Sequence, residues 1–182
     1  MFLRNLWYYA ASGRLLAPGR MMSRMMLGEP VLIGRGADGS VFALRDICPH
    51  RGIPLSYGVF DGDEVECCYH GWRFGVEGCC TAIPSLVEGQ NFDLSKVRVQ
   101  SYPAREVQGN IWLYFDDDAT DPRSRRPSPP EPLPPVPEVP DMERATPKMI
   151  ESVIFPGHSD HAVVGLMDPA HGPFVHESWW WR

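Results

Sequence analysis

The 182-residue chain is 43% hydrophobic with a formal net charge of −6: enough to bury a core, and with no basic stripe to suit a nucleic acid. No apolar run approaches the roughly 20 residues that span a bilayer. The five cysteines, Cys48, Cys67, Cys68, Cys79 and Cys80, form an odd set with two adjacent pairs, a poor disulfide framework that fits metal-bound thiolates in a reducing, cytoplasmic setting.

The chain opens with MFLRNLWYYAASGRLL. Its apolar run is short and broken by Arg4, Asn5 and Ser12, which disfavours a secretory leader. It reads as an amphipathic segment packing Leu6, Trp7 and Tyr8 onto a core. From Glu29 to Phe115 short strands and tight turns are expected. EPVLIGR, the turn ADGS and VFALRD form a hairpin signal, with Asp38-Gly39 as the turn chemistry. WRFGVEGCCTA repeats that form around Glu77-Gly78. VRVQSYPAREV and NIWLYFD follow, joined through Gln108, Gly109 and Asn110. The pattern predicts a small antiparallel β barrel or sandwich.

Composition changes at Asp116. The stretch from there to Pro147 is dense in proline and charge; proline lacks an N–H and fixes φ, so an extended connector is expected. The last piece, KMIESVIFPGHSDHAVVGLMDPAHGPFVHESWWWR, is too short for a whole domain. The expected layout is a β domain over 1–115, a linker over 116–147 and the start of an α+β domain over 148–182.

Within the β region Cys48-x-His50 is followed, sixteen residues later, by Cys67-x-x-His70. Two thiolates and two imidazoles suit a zinc ion or an iron–sulfur cluster. Glycine stands close behind each histidine, at Gly52 and Gly71, where it lets backbone approach a cluster. That context favours the cluster. The other cysteines read as follows: Cys68 pointing away from its neighbour's partners, Cys79 and Cys80 as small buried hydrophobes.

The pattern C-x-H-x16-C-x-x-H, in the loops CPHRG and CYHGW, resembles the Rieske family over Met1 to Phe115. The resemblance implies a [2Fe–2S] cluster with Cys48 and Cys67 on one iron and His50 and His70 on the other. Replacing two thiolates by imidazoles makes electron uptake easier and places the potential between about −150 and +300 mV. Respiratory members carry a disulfide at the positions of Ile53 and Tyr69, and a serine where this chain has Trp72. Fewer hydrogen bonds to sulfur imply the low-potential type, below roughly 0 mV.

Near the end stands Asp168-Pro-Ala-His171-Gly-Pro-Phe-Val-His176. Five residues turn a helix by about 500°, so the two imidazoles are expected well apart, with Pro173 breaking the helix between them. The string resembles the D-x-x-H-x4-H motif of Rieske non-haem iron oxygenases. It implies His171 and His176 as two ligands of a mononuclear Fe(II), the third being a carboxylate with no counterpart before Arg182. The chain therefore reads as the amino-terminal part of a longer protein. The resemblance also implies Asp168 as a carboxylate bridging His70 of one chain to His171 of the next; alternatively it caps a helix N-terminus before Pro169. Gly165 replaces an asparagine of the demethylating subgroup. His158 and His161 are expected as exposed loop histidines. Trp179, Trp180 and Trp181 are expected to pack in a core or brace a substrate pocket.

The order FLRNLWYYA, LGEPV, CPHR, CYHGW, IPS is similar to the vanillate O-demethylase and dicamba monooxygenase branch. That implies an oxygenase (alpha) component fed by an NAD(P)H-dependent reductase, with or without a ferredoxin. It would use O2 on an aromatic or other cyclic substrate, as a homotrimer when full length, with no nucleic acid or membrane partner. The alternatives are a Rieske ferredoxin-like carrier and an inactive truncated product.

Overall fold

The computed structural model describes residues 2–116, 132–140 and 156–176, which fall into two compact units, Met1–Glu143 and Arg144–Arg182. The first is mainly β. Its strands are β1 (Leu6–Ser12), β2 (Arg20–Met26), β3 (Glu29–Arg35), β4 (Val41–Arg45), β5 (Val59–Phe60), β6 (Glu64–Glu66), β7 (Arg73–Gly75), β8 (Cys80–Ala82), β9 (Ser101–Tyr102), β10 (Ala104–Val107) and β11 (Asn110–Phe115). They form three sheets ordered β1-β11-β10, β2-β3-β4-β9 and β5-β6-β7-β8. The strand pairs in these sheets are antiparallel.

The expected hairpins form. β3 pairs with β4 across the Asp38-Gly39 turn, β7 with β8, and β10 with β11. VRVQSYPAREV does not run as one strand: Pro103 divides it into β9 and β10, because its nitrogen has no proton to give to a ladder.

The β region starts earlier than Glu29. The opening segment is strand β1, paired with β11, and strand alternation buries Trp7 while leaving Leu6 44% exposed. The expected packing of Leu6 on the core is therefore corrected. β2, RMMSRMM, pairs along its whole length with β3 through the turn Leu27-Gly28, where φ is 50° and 79°.

The middle sheet is covered on both faces. Val31 and Ile33 of β3 and Ala43 of β4 join Ile111, Leu113 and Phe115 in one core. Leu32, Phe42 and Leu44 point the other way, onto Leu55, Val65, Phe74, Cys48 and Cys67. This second core carries the two cysteine loops. Part of the proline-rich stretch also belongs to the first unit. Trp7 donates from Nε1 to the Pro134 carbonyl at 2.8 Å, and the Gln108 amide donates to and accepts from the Val139 backbone at 3.0 and 2.9 Å. The rest of the expected linker, and Trp179 to Trp181, lie outside the described residues.

In the second unit, α1 (Ser159–Met167) is followed by a 3-10 turn, Pro169–His171, and by α2 (Gly172–Val175). Among the described residues no helix is long and apolar enough to cross a membrane.

Candidate metal centres

The two cysteine loops share one backbone frame. In the first, the Cys48 N–H donates to the Ile53 carbonyl at 2.8 Å and the Gly52 N–H to the Cys48 carbonyl at 2.9 Å. In the second, the Cys67 N–H donates to the Trp72 carbonyl at 2.8 Å and the Gly71 N–H to the Cys67 carbonyl at 2.9 Å. Each loop turns at its glycine, with φ of 75° at Gly52 and 68° at Gly71, a conformation side chains disfavour. The difference is the histidine, two residues after the cysteine in one loop and three in the other.

The frame sorts the side chains. Cys48 and Cys67 are 2% and 3% exposed, inside the second core. The imidazoles stand at the rim, His50 half-buried and His70 exposed, with ring centroids 4.5 Å apart. The Trp72 indole stacks on His50 at 4.4 Å and 4°, and Tyr69 leans on His70 at 4.0 Å. Burial pushes the Cys48 thiol up to about 11, with Cys67 beside it acting in the same direction. Burial, then the charges of His70 and Arg51, hold His50 below its ordinary value. The neutral ring that results is the form that ligates a metal.

Among the described residues no three His, Cys, Asp or Glu are placed to hold a single ion, which is the arrangement a closed zinc site requires. Two sulfurs inside and two nitrogens outside instead suit a two-iron cluster with sulfur on one iron and nitrogen on the other. The buried Trp72 Nε1 has no hydrogen-bond partner among the described residues, leaving a donor over beside a site whose cluster would bring acceptor sulfurs. The residues present therefore fit the group. All five cysteines are free thiols; Cys68 is exposed, Cys79 half-buried and Cys80 buried. The expectation for Cys80 agrees with this; Cys79 is less enclosed.

In the second unit the sequence expectation is corrected. The rings of His171 and His176 lie side by side, with centroids 5.5 Å apart. Pro173 does not break a helix between them but sits in the first turn of α2, where a missing N–H costs nothing. His171 closes the preceding 3-10 turn and His176 caps α2, so two short elements fold the pair together. His171 Nδ1 contacts the Asp168 carbonyl, which leaves Nε2 as the ring atom to face a metal.

Asp168 stands directly before the 3-10 turn Pro169–His171, as the capping alternative expects. It caps the C-terminal end of α1, and its Oδ1 accepts from the Ala170 N–H at 3.1 Å. His158 and His161 are both exposed, as expected, but His161 is helical rather than in a loop. His158 caps α1, with Nδ1 accepting from the Asp160 N–H at 3.3 Å, and His161 lies within α1. Both line a depression of about 480 Å³ together with Gly165, Leu166, His171 and His176. The missed signal was helical spacing: His161 and Gly165 are four apart and share a face.

The model described as the Rieske [2Fe-2S] domain matches residues 6–103. The chain is 40% identical over 119 residues to the toluene-4-sulfonate monooxygenase system iron-sulfur subunit of Comamonas testosteroni, covering 65% of this chain and 33% of that protein. It is 33% identical over 179 residues to the chloroplastic chlorophyllide a oxygenase of Chlamydomonas reinhardtii, covering 97% of this chain and 25% of that one. A crystal structure of apo dicamba monooxygenase superposes with a TM-score of 0.58 at 38% identity, over 66% of this chain and 37% of that one. The chain thus spans about a third or less of the length of these relatives.

Proposed function

Because the chain belongs to the Rieske [2Fe-2S] domain family, we propose that Cys48 and Cys67 hold one iron of its cluster, His50 and His70 the other, and that it acts as the electron-handling part of an oxygenase component. The observation that carries this is the pair of identically bonded loops that put both sulfurs in the core and both imidazoles at the rim, 4.5 Å apart. When bound, the cluster supplies a one-electron store. Around it, Leu55, Val65 and Phe74 exclude water from the sulfur side. His50 and His70 stand at the rim, where a donor can approach.

We assign His171 and His176 to a mononuclear iron, whose chemistry when bound is the activation of O2. Their adjacent rings and the engagement of His171 through Nδ1 support this. Asp168, 56% exposed at its side chain, is the proposed bridge to His70 of a second copy in a homotrimer. The electron donor is an NAD(P)H-dependent reductase, with or without a ferredoxin. A groove of about 280 Å³ beside the His50 loop carries Lys96 and Arg98 next to Trp72 and Phe92, a cationic, aromatic rim that suits an acidic donor. The substrate is a small cyclic organic compound, hydroxylated or O-demethylated. Five unpaired thiols support a reducing, cytoplasmic setting.

A second reading, a carrier of electrons alone, draws on the absence of any third ligand grouped with His171 and His176 among the described residues. Anaerobic reconstitution with iron and sulfide tests both. Two irons and two sulfides per chain with a rhombic EPR signal on reduction are expected; a third iron lost in His171→Ala supports the oxygenase reading. A colourless product overturns the cluster assignment.

A further inference from the structure

The base of the second cluster loop is closed by strand pairing, Glu66 of β6 opposite Arg73 of β7. The first loop has no such ladder. Its stems are β4, which pairs with β3 and β9, and a 3-10 turn, Leu55–Tyr57. Between those stems lies Asp46, 2% exposed. Its Oδ2 accepts from Ser23 Oγ of β2 at 2.7 Å and from Ser56 Oγ at 2.6 Å. Its Oδ1 accepts from the Ser56 backbone N–H at 2.7 Å. One side chain therefore joins the start of the loop to its end and to the neighbouring strand.

All three donors are neutral, and no Lys or Arg is paired with this carboxylate among the described residues. A buried polar group is costly to leave unpaired, so these three bonds tie the two stems together. Asp46 lies two residues from Cys48, no more than about 7.6 Å between Cα atoms.

We propose that Asp46 is a positioning residue of the cluster: through Ser23 and Ser56 it clamps the first loop where strand pairing clamps the second. The proposal rests on the cluster assignment for Cys48 and concerns a residue outside that ligand set.

The test uses the full chain, reconstituted with iron and sulfide. Asp46→Ala removes all three bonds, and loss of the cluster's visible absorption under chelator is expected to quicken at least tenfold. A change under twofold overturns the positioning role. Ser23→Ala with Ser56→Ala removes two of the three bonds. Amide exchange at Gly52 is then expected to quicken at least tenfold relative to Gly71, the matching amide of the other loop. An equal change at both glycines means general loosening and overturns the clamp, and this arm decides even if Asp46→Ala fails to hold a cluster. A colourless parent protein, in contrast, would sink the ligand assignment itself.

Discussion

Cys48 and Trp72 both pack in the core behind the site. The Cys48 thiol, pushed up to about 11 from about 9 by burial, has a folded pKa above its unfolded one. Its stabilising contribution to the metal-free chain is complete below pH 9 and is lost as pH rises toward 11. Thermal melts of the metal-free protein are expected to fall through that window, and Cys48→Ala to flatten the fall. His50 has the opposite shift, so its contribution is present above its unfolded value near 6.5 and lost as pH drops. The indole of Trp72, flat against His50, adds about 0.5–1.5 kcal/mol of aromatic packing. Trp72→Ala is expected to shorten the lifetime of the bound cluster under chelator, followed by its visible absorption, while Trp72→Phe retains most of it. An unchanged lifetime in the alanine variant would remove the stack from the account. The ligand residues were legible because Cys and His at fixed spacing, each with glycine behind, satisfy a chemical requirement independent of the rest of the fold. Asp46 was not: an aspartate before a loop is ordinary until the structure shows Ser23 and Ser56 turned onto it.

At the level of elements, β3 carries the heaviest constraint, because Val31, Leu32 and Ile33 are all fully buried and serve two cores. Leu32→Ala is expected to cost about 2–5 kcal/mol and Phe74→Ala about 3–5 kcal/mol. Both sit in the core that backs the cluster, so denaturant melts and cluster retention should fail together. Loss of stability with an intact cluster would uncouple that core from the loops. Hairpins with Asp-Gly or Glu-Gly turns could be read in advance because local chemistry fixes them. β2 could not: RMMSRMM has neither alternation nor β-branched residues, and only its pairing with β3 makes it a strand. The closeness of His171 and His176 was likewise hidden. A single helix would have parted them, and the change from 3-10 turn to α2 brings them together.

Across the whole molecule, the first compact unit ends at Glu143 rather than at the last strand. A chain stopped after Glu143 holds both cluster loops and both cores. It is expected to fold and to give the same reduced EPR spectrum as the full chain; failure to take up the cluster would show that the later residues are needed. Gln108→Ala, which releases the Val139 backbone, is expected to cost about 1 kcal/mol and to speed proteolysis between 132 and 140 without altering the spectrum. The sequence marked this stretch as extended by its prolines. That part of it lies along the β unit depended on Trp7 and Gln108, neither of which carries a local signal for such a contact.

Trp72 belongs to both loops at once: its carbonyl holds the Cys67 N–H of its own loop, and its ring lies on the histidine of the other. Neither loop can shift without carrying its partner. Atoms that scarcely move between the oxidised and reduced states keep the reorganisation energy small, and charge can then hop quickly even when the driving force is slight.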